Sequence, residues 1–531
     1  MPCLPTVDGR HLELSTAALA VHQFSPRRVT RLLTLLALVL PATTLPAAIT
    51  NYTWSPSVGG NARWTRAGNW AFNNPPPAGT ISGLTNTDVT FAGTSKTTSL
   101  LDQNFYLHAL LFAPSAGAFT LMPQSNEMLY LGAGGVTNNS ASTQTFLNGV
   151  TVSADQLWAA NAGNLVFGGA VNLLGNDLTI AGSFNTTIQG MISGGGSLIK
   201  EGAGNLTLSG TLPNLFTGGL TLNSGTITVA KNNALGAGPL TLNGGVLNLG
   251  AYNLTVSSIS LRGGTINSSS GGITSSSDYQ LQSGTVSTRL GGTGGLIKTT
   301  SGTVTLTAAN TYSGGTQIRA GRLTVNNATG SGTGTGPVLI GSGGLLAGTG
   351  TVTGFVTNAP GGSISAGNEI GVLNLGSTFW FGGATNRWDL ANATGTAGGG
   401  WDLLNINGTL TLAATALDKA LIDVTSFTLG GVPGLAANFD PTQNYLWTFV
   451  QTTGGIIFQP GNDATSVFEL VVGNFVNPTL GGRFGVELSA DGLSLVITYN
   501  SAIPIPEPNM TAATLLGLGS LIFGHRLRRN R

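Results

Sequence analysis

Cysteine is almost missing from this 531-residue sequence, the single one being Cys3. With its only thiol ahead of an apolar leader, the chain has no disulfide to staple it and no thiolate for catalysis, so packing must hold it. Charge is scarce too. Only 8% of residues are Asp, Glu, Lys or Arg, where soluble domains carry about 25%. Between Ile49 and Pro508 stand 13 Lys or Arg against 18 Asp or Glu, a formal charge of −5. That stretch offers no basic field to hold a phosphate backbone, which argues against nucleic-acid binding. Histidine is nearly as rare: the same stretch holds only His108, too little for a zinc site or a triad. None of the glycine-rich runs carries the Gly-Lys-Ser/Thr of a phosphate loop.

What the chain does have is glycine, at 81 positions, and a hydrophobic fraction of 41% spread evenly along its length. Disorder would pair few apolar residues with many charges, so the composition speaks for a packed core. Small polar residues between scattered Leu, Val and Ile suit many short strands joined by tight turns. Helix is expected to be rare, because Gly and Thr weaken it.

Internal similarity organises the middle. Ser197-Leu-Ile-Lys-Glu-Gly-Ala-Gly-Asn-Leu-Thr-Leu-Ser-Gly210 matches Gly295-Leu-Ile-Lys-Thr-Thr-Ser-Gly-Thr-Val-Thr-Leu-Thr-Ala308. After a two-residue slip, Phe216-Thr-Gly-Gly219 matches Tyr312-Ser-Gly-Gly315, and Gly225-Thr-Ile-Thr-Val229 matches Gly321-Arg-Leu-Thr-Val325. A finer step of 20 residues relates Leu220/Leu222 to Leu240/Leu242, Ile227/Val229 to Leu247/Leu249, Ile318 to Val338 and Val325 to Leu345. Period-2 strands returning at that step predict a parallel β-helix with apolar residues inward and Thr, Asn or Ser outward. Glycine pairs such as Gly218-Gly219 and Gly314-Gly315 would form its corners. At about 4.8 Å per coil, residues 178–375 give roughly ten coils.

The two ends read as targeting segments. Ser25-Pro-Arg-Arg-Val-Thr-Arg31, the apolar run Leu32–Leu40 and Leu45-Pro-Ala-Ala48 make a secretory signal, which addresses the chain to Sec-type export machinery. The run is too short for a membrane span of roughly 20 residues. The segment 1–24 ahead of it is an N-terminal extension. At the other end stand Ile505-Pro-Glu-Pro508, an apolar stretch from Met510 to Phe523 expected to be a hydrophobic helix, and His525-Arg-Leu-Arg-Arg-Asn-Arg531. Its arginines hold that end on the cytoplasmic side.

The order of elements over about the last 27 residues resembles the PEP-CTERM sorting signal of Gram-negative bacteria. The resemblance implies recognition by an exosortase, with Pro506, Glu507 and Pro508 as the motif and Arg526, Arg528 and Arg529 in the basic tail. The internal motif, from Gly-Gly-Leu-Ile-Lys through Asn310-Thr-Tyr-Ser-Gly-Gly315 to Gly321-Arg-Leu-Thr-Val325, resembles the autotransporter-associated β-strand repeat. That implies a right-handed parallel β-helix stalk in an exported protein. The copy at 295–325 is close, whereas in the copy at 197–229 Leu212-Pro-Asn-Leu-Phe216 replaces the usual turn.

The expected fold is therefore all-β: a right-handed parallel β-helix with β-rich caps at both ends and a C-terminal hydrophobic helix. The segments are 1–48, signal and extension; 49–177, cap and first coils; 178–375, repeats; 376–500, C-terminal cap; 501–531, sorting tail. Trp54, Trp64 and Trp70 mark the first cap, and Trp380, Trp388, Trp401 and Trp447 the second. No catalytic, cofactor or metal constellation is visible. Asp389 and Asp402 lie near tryptophans, a setting used by sugar-cleaving carboxylates, but as cap turn or edge residues they need no such role. His108 reads as a packed strand residue. Asp177 and Asp440 are too isolated to build a calcium site. Lys200-Glu201 and Lys298 read as solvated coil edges. The functional expectation is a non-enzymatic surface or extracellular structural and adhesive protein, with exopolysaccharide or another surface glycan as partner. A carbohydrate-binding or carbohydrate-cleaving β-helix remains the alternative.

Overall fold

The computed structural model describes residues 48–56 and 60–502. The short Leu-Thr-Leu and Leu-Ile-Lys triplets stack in register as rungs, so each strand bonds in parallel to the strand one coil before it and one coil after. Leu198, Leu220, Leu240 and Ile259 face one another inside the coil and are at most 2% exposed. The intervening Ile199, Thr221, Thr241 and Ser260 point out. The result is a parallel β-solenoid. Its first wall has 21 strands. A second wall runs from Thr98–Leu101 to Phe468–Asn474. Third-wall strands appear at Leu254–Val256, Gly272–Ser275 and Arg289–Gly291, and again from Thr351–Val352 onward. Among the described residues helix is confined to Gly83–Asn86 and two 3-10 turns, and no helix is long and apolar enough to cross a membrane.

With Ile192–Ser193 and Leu198–Lys200 taken together as one coil's contribution, ten first-wall rungs lie between residues 178 and 375, matching the ten coils expected there. The step is 20 residues where Leu220 meets Leu240 and Ile227 meets Leu247. It is not constant. Val338 pairs with Thr316 and Leu345 with Arg322, so the expected partners Ile318 and Val325 are each displaced. On the first wall steps range from 17 residues at Tyr279–Leu296 to 46 at Leu410–Ile456, and the second wall reaches 48 at Ala420–Phe468, because corners absorb extra length while the walls keep register.

Equivalent residues of the two repeat copies do equivalent work. Asn214 and Asn310 are buried. Each accepts a hydrogen bond at Oδ1 from the preceding coil, Ile192 N at 2.9 Å and Leu290 N at 2.8 Å. Each donates from Nδ2 to the following coil, Ala234 O and Gly332 O, both at 2.6 Å. One side chain thus joins three coils, beside the backbone bonds that Leu215 N and Thr311 N make to Ile192 O and Leu290 O. Two residues on, Phe216 and Tyr312 are fully buried. The glycine pairs follow: Gly219 and Gly315 have φ of +94° and +84°. A Cβ at Gly218 or Gly314 would lie 2.5 Å from backbone of the coil beneath. The altered turn at 212–216 therefore keeps the function of the motif.

Trp54, Trp158, Trp380, Trp388 and Trp447 are buried inside the coils, Trp64 and Trp70 are buried in the fold-back over the first rung, and Trp401 is half-buried. Thr50–Trp54, Thr87–Phe91 and Phe105–Phe112 are parallel rungs of the first wall. Trp54 and Trp64 pack edge-on against Trp70 at 5.0 and 5.5 Å, and Trp158 stacks on Phe167 at 3.9 Å. Towards the C-terminus Thr378–Trp380, Leu410–Leu412 and Ile456–Phe458 continue the first wall. Only Arg483–Leu488 and Ser494–Asn500 turn antiparallel, extending the third wall.

The solvated reading of Lys200 and Lys298 is corrected. Both occupy the third, inward position of their triplet and are at most 1% exposed. Their alkyl stems fill core space while the ammonium groups donate to corner carbonyls: Lys200 to Glu201 O and Gly202 O, Lys298 to Thr300 O and Ala320 O. Burial pulls Lys200 down to about 8 and lowers Lys298 as well.

Candidate functional site

Three features of the described residues qualify as sites. The first is the outward face of the first wall. Its central row runs through Leu157, Thr179, Ile199, Thr221, Thr241, Ser260, Gln280, Ile297, Gln317, Leu339, Thr357, Phe379, Thr411 and Ile457. Over fourteen rungs this row holds no charge, eight of its side chains being hydroxyl or amide and six apolar. The third wall carries a recess of about 370 Å³, lined by Thr351, Thr353, Asn374, Asn405, Asn407 and Thr453 together with Val352 and Leu375. Asn405 Nδ2 donates to Asn374 Oδ1 at 2.9 Å, so the amides of successive coils are already aligned. Amides and hydroxyls in such a row suit the hydroxyls of an uncharged glycan, and the row carries no charge with which to select a charged one.

The second feature brings Asp389 and Asp402 together, as their sequence setting suggested, beside a charge it did not: Arg322, whose guanidinium acts on both carboxyls. Asp389 lies on the outward row of the second wall, opposite Thr425. It is nevertheless buried, because the segment 367–371 and the excursion 391–401 lie across it. Arg322 reaches from two rungs away to donate to Gly367 O at 3.0 Å and Asn368 Oδ1 at 2.9 Å. Asp402 Oδ1 accepts from Gly371 N at 3.0 Å. The backbone N–H of Asp402 donates to Asp389 O at 3.0 Å, and Trp388 Nε1 donates to Asp402 O at 3.1 Å. Asp402 Oδ2 is buried without a hydrogen-bond partner.

Burial, reinforced by the charge of Asp423, raises Asp389 to about 7 despite the opposing pull of Arg387 and Arg322. Asp402 is raised well above the carboxylate range, first by burial and then by Asp389. A neutral acid beside an ionisable one is the pattern of glycoside hydrolysis. Access decides against that use. Asp389 is 7% and Asp402 3% exposed, and the neighbouring recess is lined by Glu369, Ile370, Ala391, Gly399 and Gly431 rather than by either aspartate. Asp402 instead ties the corner at Gly371 through its carboxylate and bonds to the wall strand through its backbone N–H on Asp389 O. Arg322 shares its repeat copy with Lys298 and Arg319, so charge alone did not single it out in the sequence.

The third feature is His108, at a bulge between Leu107 and Ala109, with Nδ1 2.8 Å from Asp88 Oδ1. Asp88 is the partner that sequence reading missed; it stands one rung away, opposite Ala109. Asp177 accepts from Ser197 N of the next coil at 3.1 Å, whereas Asp440 caps a local turn by accepting from Thr442 N and Oγ1 at 2.9 and 2.8 Å. Among the described residues no group of three or more His, Cys, Asp or Glu is placed to hold a metal. The sorting residues Pro506, Glu507, Pro508, Arg526, Arg528 and Arg529, the hydrophobic helix and the signal segment lie outside the described residues.

The class these features define is a parallel β-solenoid with one uncharged outward row, and comparison with known proteins bears on it. Residues 198–229 and 296–325 match the passenger-associated-transport-repeat model, the same two copies whose Asn, aromatic and Gly-Gly positions coincide above. More particularly, the chain is similar to the adhesin BmaC autotransporter of Brucella suis biovar 1 (strain 1330), 30% identical over 524 residues. The match covers 83% of this chain and 14% of that protein, so the chain spans about a seventh of that relative's length.

Proposed function

We propose that this chain is an exported adhesive stalk, carried across the inner membrane by Sec-type machinery, processed by an exosortase and displayed at the cell surface of a Gram-negative bacterium. Its partner is an uncharged extracellular polysaccharide or other surface glycan. The observation that carries the reading is the fourteen-rung row without a charge, built on passenger-type repeats. The adhesin similarity supports it, as does the order of the C-terminal segments. Glu507→Ala is expected to leave the chain whole in the inner membrane, whereas the parent chain loses its leader and a fragment near Pro508. Intact mass and cell fractionation read both. A parent chain that keeps its tail, with the same distribution as the variant, removes exosortase processing from the proposal.

A second reading, a dedicated carbohydrate-binding module, draws on the aligned amides of the third-wall recess. Asn405→Ala is expected to weaken binding of uncharged oligosaccharides on a glycan array by about tenfold, equivalent to ~1.4 kcal/mol. Unchanged binding would move glycan recognition away from that recess.

A further inference from the structure

The two ends of the solenoid are finished differently. At the N-terminal end the chain folds back over the first rung, where Trp54 meets Trp70 and Ser55 N donates to Asn69 O at 2.9 Å. At the C-terminal end the antiparallel hairpin closes only the third wall. The last strand of the second wall, Phe468–Asn474, pairs on one side with Ala420–Ser426. Among the described residues no strand pairs with its other edge. This edge is seven residues long, apolar and free of proline, with Val471 41% and Val472 42% exposed. Recesses of about 400 and 250 Å³ beside it are lined by Leu470, Phe475, Phe484 and Val486 among others. A bare row of backbone donors and acceptors next to apolar recesses is a template for another strand.

We propose that this edge pairs with the same edge of a second copy, joining two solenoids tail to tail through a continuous second wall. The strand Phe-Glu-Leu-Val-Val-Gly-Asn is self-complementary when run antiparallel about Val471. Leu470 then opposes Val472 and Glu469 opposes Gly473, the register shift that follows Val471 on the wall side marking the end of the regular strand. The strand's single charge falls opposite a glycine, so no like charges meet, which is the condition an isologous pair must satisfy. A strand carrying one acidic and no basic residue presents little charge pattern to select a different chain. The inference is independent of the sorting and glycan readings.

The test uses the full chain with Cys3→Ser, which removes the one native thiol. Val471→Cys is added, and Leu339→Cys, 44% exposed on the first wall, serves as the control. Facing residues of an antiparallel pair have Cα atoms about 4.5–5.5 Å apart, inside the range of about 4.4–6.8 Å that a disulfide bridges. Mild oxidation is expected to convert the Val471→Cys variant, and not the control, into a covalent dimer. Light scattering is expected to show dimers of the Cys3→Ser parent that Val472→Lys weakens at least tenfold. A monomeric parent whose Val471→Cys variant labels freely with a maleimide and does not cross-link overturns the proposal. So does a monomer in which the thiol introduced by Val471→Cys is shielded from the maleimide, because residues 503–531 of the same chain would then be covering the edge.

Discussion

Gly314→Ala is expected to destabilise the centre of the solenoid more than the loss of any exposed side chain, by roughly 1–3 kcal/mol. The added Cβ would lie 2.5 Å from Gly295 N, 2.7 Å from Gly294 C and 2.8 Å from Thr293 O. All three are backbone atoms of the coil beneath. A side chain could swing away, but these cannot, because Leu296 is locked in register with Thr316 one coil on. Opening the corner also strains the bonds that Asn310 makes to Leu290 N and Gly332 O. The check is a urea titration with proteolysis at the midpoint: cleavage should concentrate between residues 290 and 340. Gly455→Ala serves as the comparison for a positive-φ glycine in open space, since nothing lies within 4 Å of its Cβ position. Equal midpoints for the two variants would refute the close-packing account.

Asp389→Asn is expected to remove a fall in stability between acid and neutral pH. The folded carboxyl sits at about 7 against an ordinary 3.8, so the folded state holds its proton more tightly than the unfolded chain. Stability from this site is fully present below about pH 3.8 and is lost as pH rises through about 7. The full shift corresponds to an upper limit on the order of 4 kcal/mol. The groups that set it are Asp423, Arg387, Arg322 and Glu369 around Asp389, with Asp402 behind it. Asp402 acts in the same direction, so the double variant Asp389→Asn/Asp402→Asn should flatten the profile further. Urea midpoints at pH 5 and pH 8 measure the difference. A wild type equally stable at both values, or a variant with an undiminished difference, would contradict this account of the buried pair.

The parallel walls were legible because Leu-Thr-Leu triplets carry both signals at once: period 2 within a strand and a constant step between strands. The same signal failed wherever the corners changed length. Thr378 and Leu410 are partners 32 residues apart, and Leu410 and Ile456 are 46 apart, so the late rungs read as a separate cap. Lys200 and Lys298 were misjudged because a charge signals solvent, whereas their position, third in a triplet whose first residue points inward, signals core. Register outweighed residue type. Asp389 and Asp402 could be suspected from neighbouring tryptophans. Their burial depends on the segments 367–371 and 391–401 folding over the wall, together with an arginine more than 60 positions away, and no local pattern encodes that.

Variable corners give this architecture an unusual tolerance of insertion. Closing a longer loop costs only about 0.6 kcal/mol for each doubling of its length, while the rung on either side keeps its backbone bonds and its buried apolar pair. The step from Leu410 to Ile456 is more than twice that from Leu220 to Leu240, yet both deliver their strands to the same wall in register. Material added at a corner, whether by evolution or by an experimenter inserting an epitope, is thus carried on the outside of a scaffold that does not have to be redesigned to receive it.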